Sequence, residues 1–143
     1  MAIVDSDPAR LDMDVIHGFL TASYWSPGIS RALVERAVAN SLCFGVYEDG
    51  KQVGFARVIT DQTTFAYLAD VFILESHRGK GLSKLLMAAI VADTRLQGLR
   101  RWLLATRDAH KLYERYGFTP LAKPQRFMEL HQPDVYAATP AGA

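Results

Sequence analysis

Residues 75–90 read ESHRGKGLSKLLMAAI, a glycine loop rich in basic residues that leaves the strand-like run FAYLADVFIL and enters a helix. The helix expected over Gly81–Asp93 carries Leu82, Leu85, Leu86, Ala89 and Ile90 on one face. Met87 and Val91 make it apolar nearly all round, so it must be buried. A strand feeding such a helix, followed by the buried strand RRWLLAT, is a strand–helix–strand crossover. The loop at its centre gathers unpaired N–H groups at the positive end of the helix dipole, a setting that favours an anion and most often a phosphate. Arg78, Lys80 and Lys84 add local charge. A solvated basic turn capping a core helix is the plainer alternative, and the loop alone leaves it open.

The rest of the chain limits what surrounds this unit. Apolar Val15, Ile16, Phe19 and Leu20 give helical spacing over 11–24, SPG breaks it, and Ser30 caps a second helix through Ala39. LCFGVYE and QVGFARVIT are strands joined by DGK, a hairpin signal, and FAYLADVFIL follows the polar DQTT. DAHKLYERY reads as a short helix stopped by Gly117, FMEL as a late strand, and HQPDVYAATPAGA as a frayed end. Helices first, then an antiparallel meander, then the crossover imply an α/β (α+β) fold. Its sheet is single, mixed and mostly antiparallel, with helices on both faces. The expected organisation is one domain over 1–130 and a flexible tail over 131–143.

At 143 residues the chain can bury a core without disulfides or metals. A net charge of +1 gives no global pull toward nucleic acid, so a polyanion site has to be local. The longest apolar run, LLMAAIVA, is too short for a bilayer, and the N-terminus lacks a signal-like apolar stretch. A single cysteine, Cys43, in a strand-like run fits an inert core thiol in a reducing compartment. The expectation is a cytoplasmic protein with neither nucleic-acid nor membrane partner. His17, His77 and His131 show no metal-ligand spacing, so no metal is expected. A Walker loop fails because Leu82 follows Gly81 where lysine is required, and a dinucleotide fingerprint fails because Lys84 stands at its third glycine.

The spelling that fits is R-x-x-G-x-small, supplied by Arg78, Gly81 and Ser83, followed by A-x-x-x-Y-x-x-x-G-F through Ala109, Tyr113, Gly117 and Phe118. In these two motifs the chain resembles the GNAT (GCN5-related N-acetyltransferase) family over roughly residues 42–130. The resemblance implies the acyl-CoA N-acyltransferase fold, an acetyl-CoA co-substrate and a primary amine acceptor of small-molecule size, attacked directly through a tetrahedral intermediate. It implies diphosphate binding at Arg78, Gly79, Lys80, Gly81, Leu82, Ser83 and Lys84, with Asp108 and Lys111 also on the cofactor side. The pantetheine arm would bond the backbone of Val71, Phe72 and Ile73. Two positions depart from the pattern: Ser83 replaces glycine or alanine, and Thr106 stands where relatives often carry asparagine. A CoA-binding sensor without turnover, and an enzyme acting on protein or peptide amines, stay as alternatives. The resemblance also leaves a homodimer open.

Acetyl transfer needs a neutral amine, a polarised carbonyl and a proton for the departing thiolate. Tyr113 is the candidate general acid, or else it only positions the sulfur. An N–H within Val71–Ile73 can stabilise the oxyanion. Asp70 is a charge in the apolar run YLADVFI and calls for a polar reason or an open cleft. Strand alternation puts Asp70 and Phe72 opposite Val71 and Ile73, so Asp70 is a base, a site for the amine's charge, or a structural partner of an arginine. His110 is a weaker candidate for the base. Tyr24, Trp25, Phe65 and Tyr67 form either an aromatic wall for the acceptor or ordinary core.

Overall fold

The computed structural model describes residues 1–136, so residues 137–143 of the expected tail lie outside the described residues. Five strands form one sheet in the order β1 (Ala2–Asp5), β2 (Leu42–Glu48), β3 (Lys51–Thr60), β4 (Phe65–Ile73) and β5 (Arg101–Leu104). The first four are antiparallel neighbours, while β4 and β5 run parallel, as a crossover requires. Helices α1 (Met13–Thr21) and α2 (Arg31–Ala39) cover one face; α3 (Leu82–Ala92) and α4 (His110–Glu114) cover the other. The mixed sheet with helices on both faces is therefore as the sequence reads.

Local chemistry accounts for the element ends. Ser30 caps α2 by accepting the Leu33 N–H at 3.2 Å, and Asp12 caps α1 by accepting from Asp14 and Val15. Two apolar clusters hold the layers together. Leu82, Leu86, Met87 and Ile90 of α3 pack on Val46, Ala56, Val58 and Leu68, whereas Ile16, Leu20 and Val34 pack on Phe55 and Phe72 across the sheet. Cys43 belongs to the second cluster, where burial pushes its thiol up to about 12.

Two expectations are corrected. The chain opens with strand β1, not with a helix: four residues too short to read alone are held by antiparallel pairing of Ala2–Asp5 with Gly45–Glu48. FMEL is no strand. Phe127 lies under the Arg101 guanidinium, and Met128 and Leu130 are 97% and 87% exposed, because no strand edge comes beside them. β5 is therefore the last strand of the sheet among the described residues.

Candidate active site

The site is built where two parallel neighbours part. β4 and β5 pair only from Phe65–Leu68 against Arg101–Leu104, so beyond Leu68 the β5-facing edge of β4 is left open. A bulge in β4 accompanies the parting. Phe55 pairs Phe72 and Arg57 pairs Ala69, so Asp70 and Val71 face the single residue Ala56. Asp70 takes φ +55°, a left-handed conformation that aspartate tolerates better than most residues. After the bulge Val71 and Ile73 pack toward α3, while Phe72 packs toward α1, and Asp70 turns to the α1 side. The alternation expected from Asp70 onward thus holds.

At the tip of β4 the glycine loop begins. Arg78 donates from Nε to the Ile73 carbonyl at 3.0 Å, and Lys80 reaches Glu48 at 3.2 Å, which fixes the loop against the sheet. Gly79 and Gly81 both take left-handed φ, +80° and +76°, and a Cβ built on either would meet only open space. Gly81 is the N-cap of α3 and offers no side-chain cap, so the N–H groups of Leu82, Ser83 and Lys84 have no intrahelical acceptor. An 11-residue helix thus presents its positive end, unblocked, to the cleft.

The second motif is a helix stop. Gly117, at φ +92°, donates to the Glu114 carbonyl at 3.2 Å, and Phe118 donates to the Tyr113 carbonyl at 3.3 Å. This is a Schellman cap, completed by apolar contact of Tyr113 with Phe118, whose ring centroids lie 6.0 Å apart. The Y-x-x-x-G-F spelling is thereby explained: glycine ends the short α4, and phenylalanine pins the tyrosine ring. Thr106 accepts the Ala109 N–H at 3.0 Å ahead of α4. The Tyr113 hydroxyl has no hydrogen-bond partner among the described residues, and burial, with a smaller contribution from Tyr24, pushes it up to about 12.

These parts line one cleft of about 1420 Å³. Of the expected residues, Asp70, Val71, Phe72, Ile73, Arg78, Gly79, Gly81, Leu82, Ser83, Asp108, Tyr113, Tyr24, Trp25 and Tyr67 line it. Lys80, Lys84, Lys111 and Phe65 do not. Tyr24 packs edge-on to Trp25 with centroids 5.1 Å apart and lies under the Arg107 guanidinium. Phe19 stacks on Phe72 at 4.0 Å, so the aromatic wall continues into the core.

Asp70 is held from two sides. Its Oδ2 accepts from Arg57 Nε and its Oδ1 from Trp25 Nε1, both at 2.8 Å. Arg57 also donates from Nη1 to Ser41 Oγ at 3.2 Å. Sequence reasoning missed Arg57, and the signal was available: a lone charge in GFARVIT, on the hairpin partner of the strand that carries Asp70. His131 and Tyr136, from the segment read as tail, also line the cleft. No group of three or more metal-ligating side chains occurs among the described residues, and none of their helices is long and apolar enough to cross a membrane.

The parted strands, the glycine-capped α3 and the tyrosine at the stop of α4 define an acyl-transfer type of site on an α/β sheet. The family model for the acetyltransferase (GNAT) domain matches residues 39–120, and the chain belongs to that family of acetyltransferases. A candidate acetyltransferase of Gibberella zeae is 33% identical over an alignment covering 78% of this chain and 75% of that protein. The crystal structure of a candidate GNAT acetyltransferase from Xanthomonas campestris pv. campestris is 53% identical, with a TM-score of 0.94 over 96% of this chain and 98% of that one. A GNAT acetyltransferase from Elizabethkingia anophelis, solved with acetyl-CoA bound, shares the fold at 12% identity and a TM-score of 0.64, over 82% of this chain and 76% of that one.

Proposed function

We propose that this acetyltransferase moves the acetyl group of acetyl-CoA to the primary amine of a small molecule. The observation that carries the reading is the meeting, in one cleft, of the unblocked N-terminus of α3, the open edge of β4 and the unpartnered Tyr113 hydroxyl. The site fits the co-substrate: N–H groups of Leu82–Lys84 and the Arg78 guanidinium suit a diphosphate, and left-handed glycines let it approach the backbone. Main-chain groups along Val71–Ile73 that β5 leaves unpaired, the Ile73 carbonyl excepted because Arg78 holds it, suit the amide-bearing pantetheine arm and would supply an N–H for the carbonyl oxygen.

When bound, acetyl-CoA would supply a thioester to whose carbonyl carbon the amine nitrogen adds, the C–N bond forming before the C–S bond breaks, with one proton lost from nitrogen and one gained by sulfur. Tyr113 donates toward the sulfur. Its hydroxyl stays protonated at any working pH, although about 12 is well above the ordinary thiol value near 8.5. A thiolate leaving into the same buried place is itself desolvated and more basic than in water, which narrows that gap. Asp70 serves the other partner. Its carboxylate, on the acceptor side of the bulge, draws the ammonium into the cleft, from which water carries the proton away.

The test is a screen of amines with acetyl-CoA, reading free thiol, beside melting curves. A ligand that binds only the native state at 100 times its Kd stabilises by about 2.7 kcal/mol. Acetyl-CoA is expected to raise the Tm and adenosine to raise it much less. Equal shifts from both would remove the diphosphate from the glycine loop.

A further inference from the structure

Arg57 sits on the cleft floor with its side chain 17% exposed and its charge facing Asp70, 11% exposed. Its Nε is used by Asp70 and one Nη1 hydrogen by Ser41, which leaves one N–H on Nη1 and both on Nη2 without a protein acceptor among the described residues. A guanidinium this deep is costly unless its donors are met. The Tyr47 hydroxyl is the one fully buried side-chain nitrogen or oxygen without a partner among the described residues. Nη2, which has no partner, is therefore not sealed in the core, and it opens onto the cleft that Arg57 lines.

We infer that the acceptor is an amino-acid-like amine whose carboxylate is read by Arg57, an inference that rests on the acetyltransferase reading of the same cleft. Nη2, with both of its N–H groups unspent, offers charge-assisted hydrogen bonds to a carboxylate. Asp70 already shares the charge of Arg57, so a monoanion suits the site better than a phosphate dianion. The Arg57–Asp70 pair is a fixed dipole, positive at one end and negative at the other, and a zwitterion with adjacent ammonium and carboxylate is its complement. Trp25 bonds Asp70, Tyr24 packs on Trp25, and Tyr67 lines the same cleft, so these rings would face an apolar side chain. Arg57 and Asp70 are thus specificity residues acting together, and Trp25, bonded to Asp70, ties the aromatic wall to them.

The test compares acid with amide on the full chain. With CoA bound, calorimetry measures N-acetylphenylalanine against N-acetylphenylalaninamide, and thiol release with acetyl-CoA compares phenylalanine with phenylalaninamide. The acid is expected to bind about 10- to 100-fold more tightly, the scale of hydrogen bonds to a charged group. Arg57→Gln is expected to erase that gap and leave the Kd for acetyl-CoA unchanged. If melting shows that Arg57→Gln does not fold, Arg57→Gln with Asp70→Asn replaces the ion pair by a neutral pair, and the wild-type comparison stands without either variant. Equal or tighter binding of the amide, or binding of neither ligand, overturns the assignment. Thiol release that favours the amide overturns it too, while leaving acetyl transfer intact. Absence of thiol release with every amine instead strikes the transfer reading, and the binding comparison still decides Arg57.

Discussion

At Gly81 the backbone holds φ +76° with open space where a Cβ would stand. A side chain there meets no protein atom, so its cost to folding is the left-handed conformation alone, about 1–2 kcal/mol. The cost to binding is different, because the space a valine would fill is the approach to the N–H groups of Leu82–Lys84. Gly81→Val is expected to fold with a modestly lower Tm and to lose most of its affinity for CoA in a titration. Normal CoA binding by this variant would place the phosphate cradle elsewhere. Arg57 and Asp70 show the same separation of roles: one ion pair supports the hairpin of β3 and β4 and also gives the cleft its polarity.

Among the elements, α4 is the most exposed to a single change. Five residues cannot hold a helix by propensity, so the Schellman stop at Gly117 and Phe118 fixes where Tyr113 points. Gly117→Ala at φ +92° should cost about 1 kcal/mol or more and lower the Tm by a few degrees. It should also lower kcat more than it changes CoA affinity, in steady-state rates beside the CoA titration; an unchanged kcat would free Tyr113 from dependence on this cap. Such caps are legible in sequence because glycine and phenylalanine at fixed offsets carry them. Strands that exist by pairing are not. Nothing in AIVD announces β1, which needs the distant Gly45–Glu48 edge, and the local pattern of FMEL promises a strand that finds no neighbour. The bulge at Asp70 was hidden for the same reason: its left-handed turn is set by the register of β3, while the charge itself was visible in YLADVFI and pointed to the site. The glycine loop and the helix stop that line the cleft were therefore readable from their motifs. Arg57, Ser41, His131 and Tyr136, which line it too, are brought together only by folding.

For the whole molecule, buried weak acids, Tyr113, Cys43 and Tyr47 among them, lower stability at alkaline pH. Tyr113 and Cys43 are both pushed up to about 12, so above their ordinary values the folded state keeps protons that the unfolded chain has released. Stability from this source is complete below about pH 9 and falls as the pH rises toward 12. Denaturant midpoints should hold up to about pH 9 and fall from there to pH 11, and Cys43 should resist alkylation at pH 8 until the protein unfolds. Rapid labelling of the native protein would mean that the thiol is reachable, contrary to its packing among Ile16, Val34 and Phe55.

The proposed role of Tyr113 as donor to the departing sulfur is open to a single substitution, Tyr113→Phe, which removes one oxygen and keeps the ring against Phe118. With an acceptor from the screen and a melting curve showing the fold intact, the variant is expected to lose about 10²-fold in kcat with little change in the KM for acetyl-CoA. Because the hydroxyl stays protonated to about 12, the wild-type kcat should show no fall near pH 10 that the variant lacks. A variant within about twofold of wild type in kcat, with chemistry rate-limiting, or one whose KM rises while kcat holds, would contradict this role and leave Tyr113 a packing or ground-state contact.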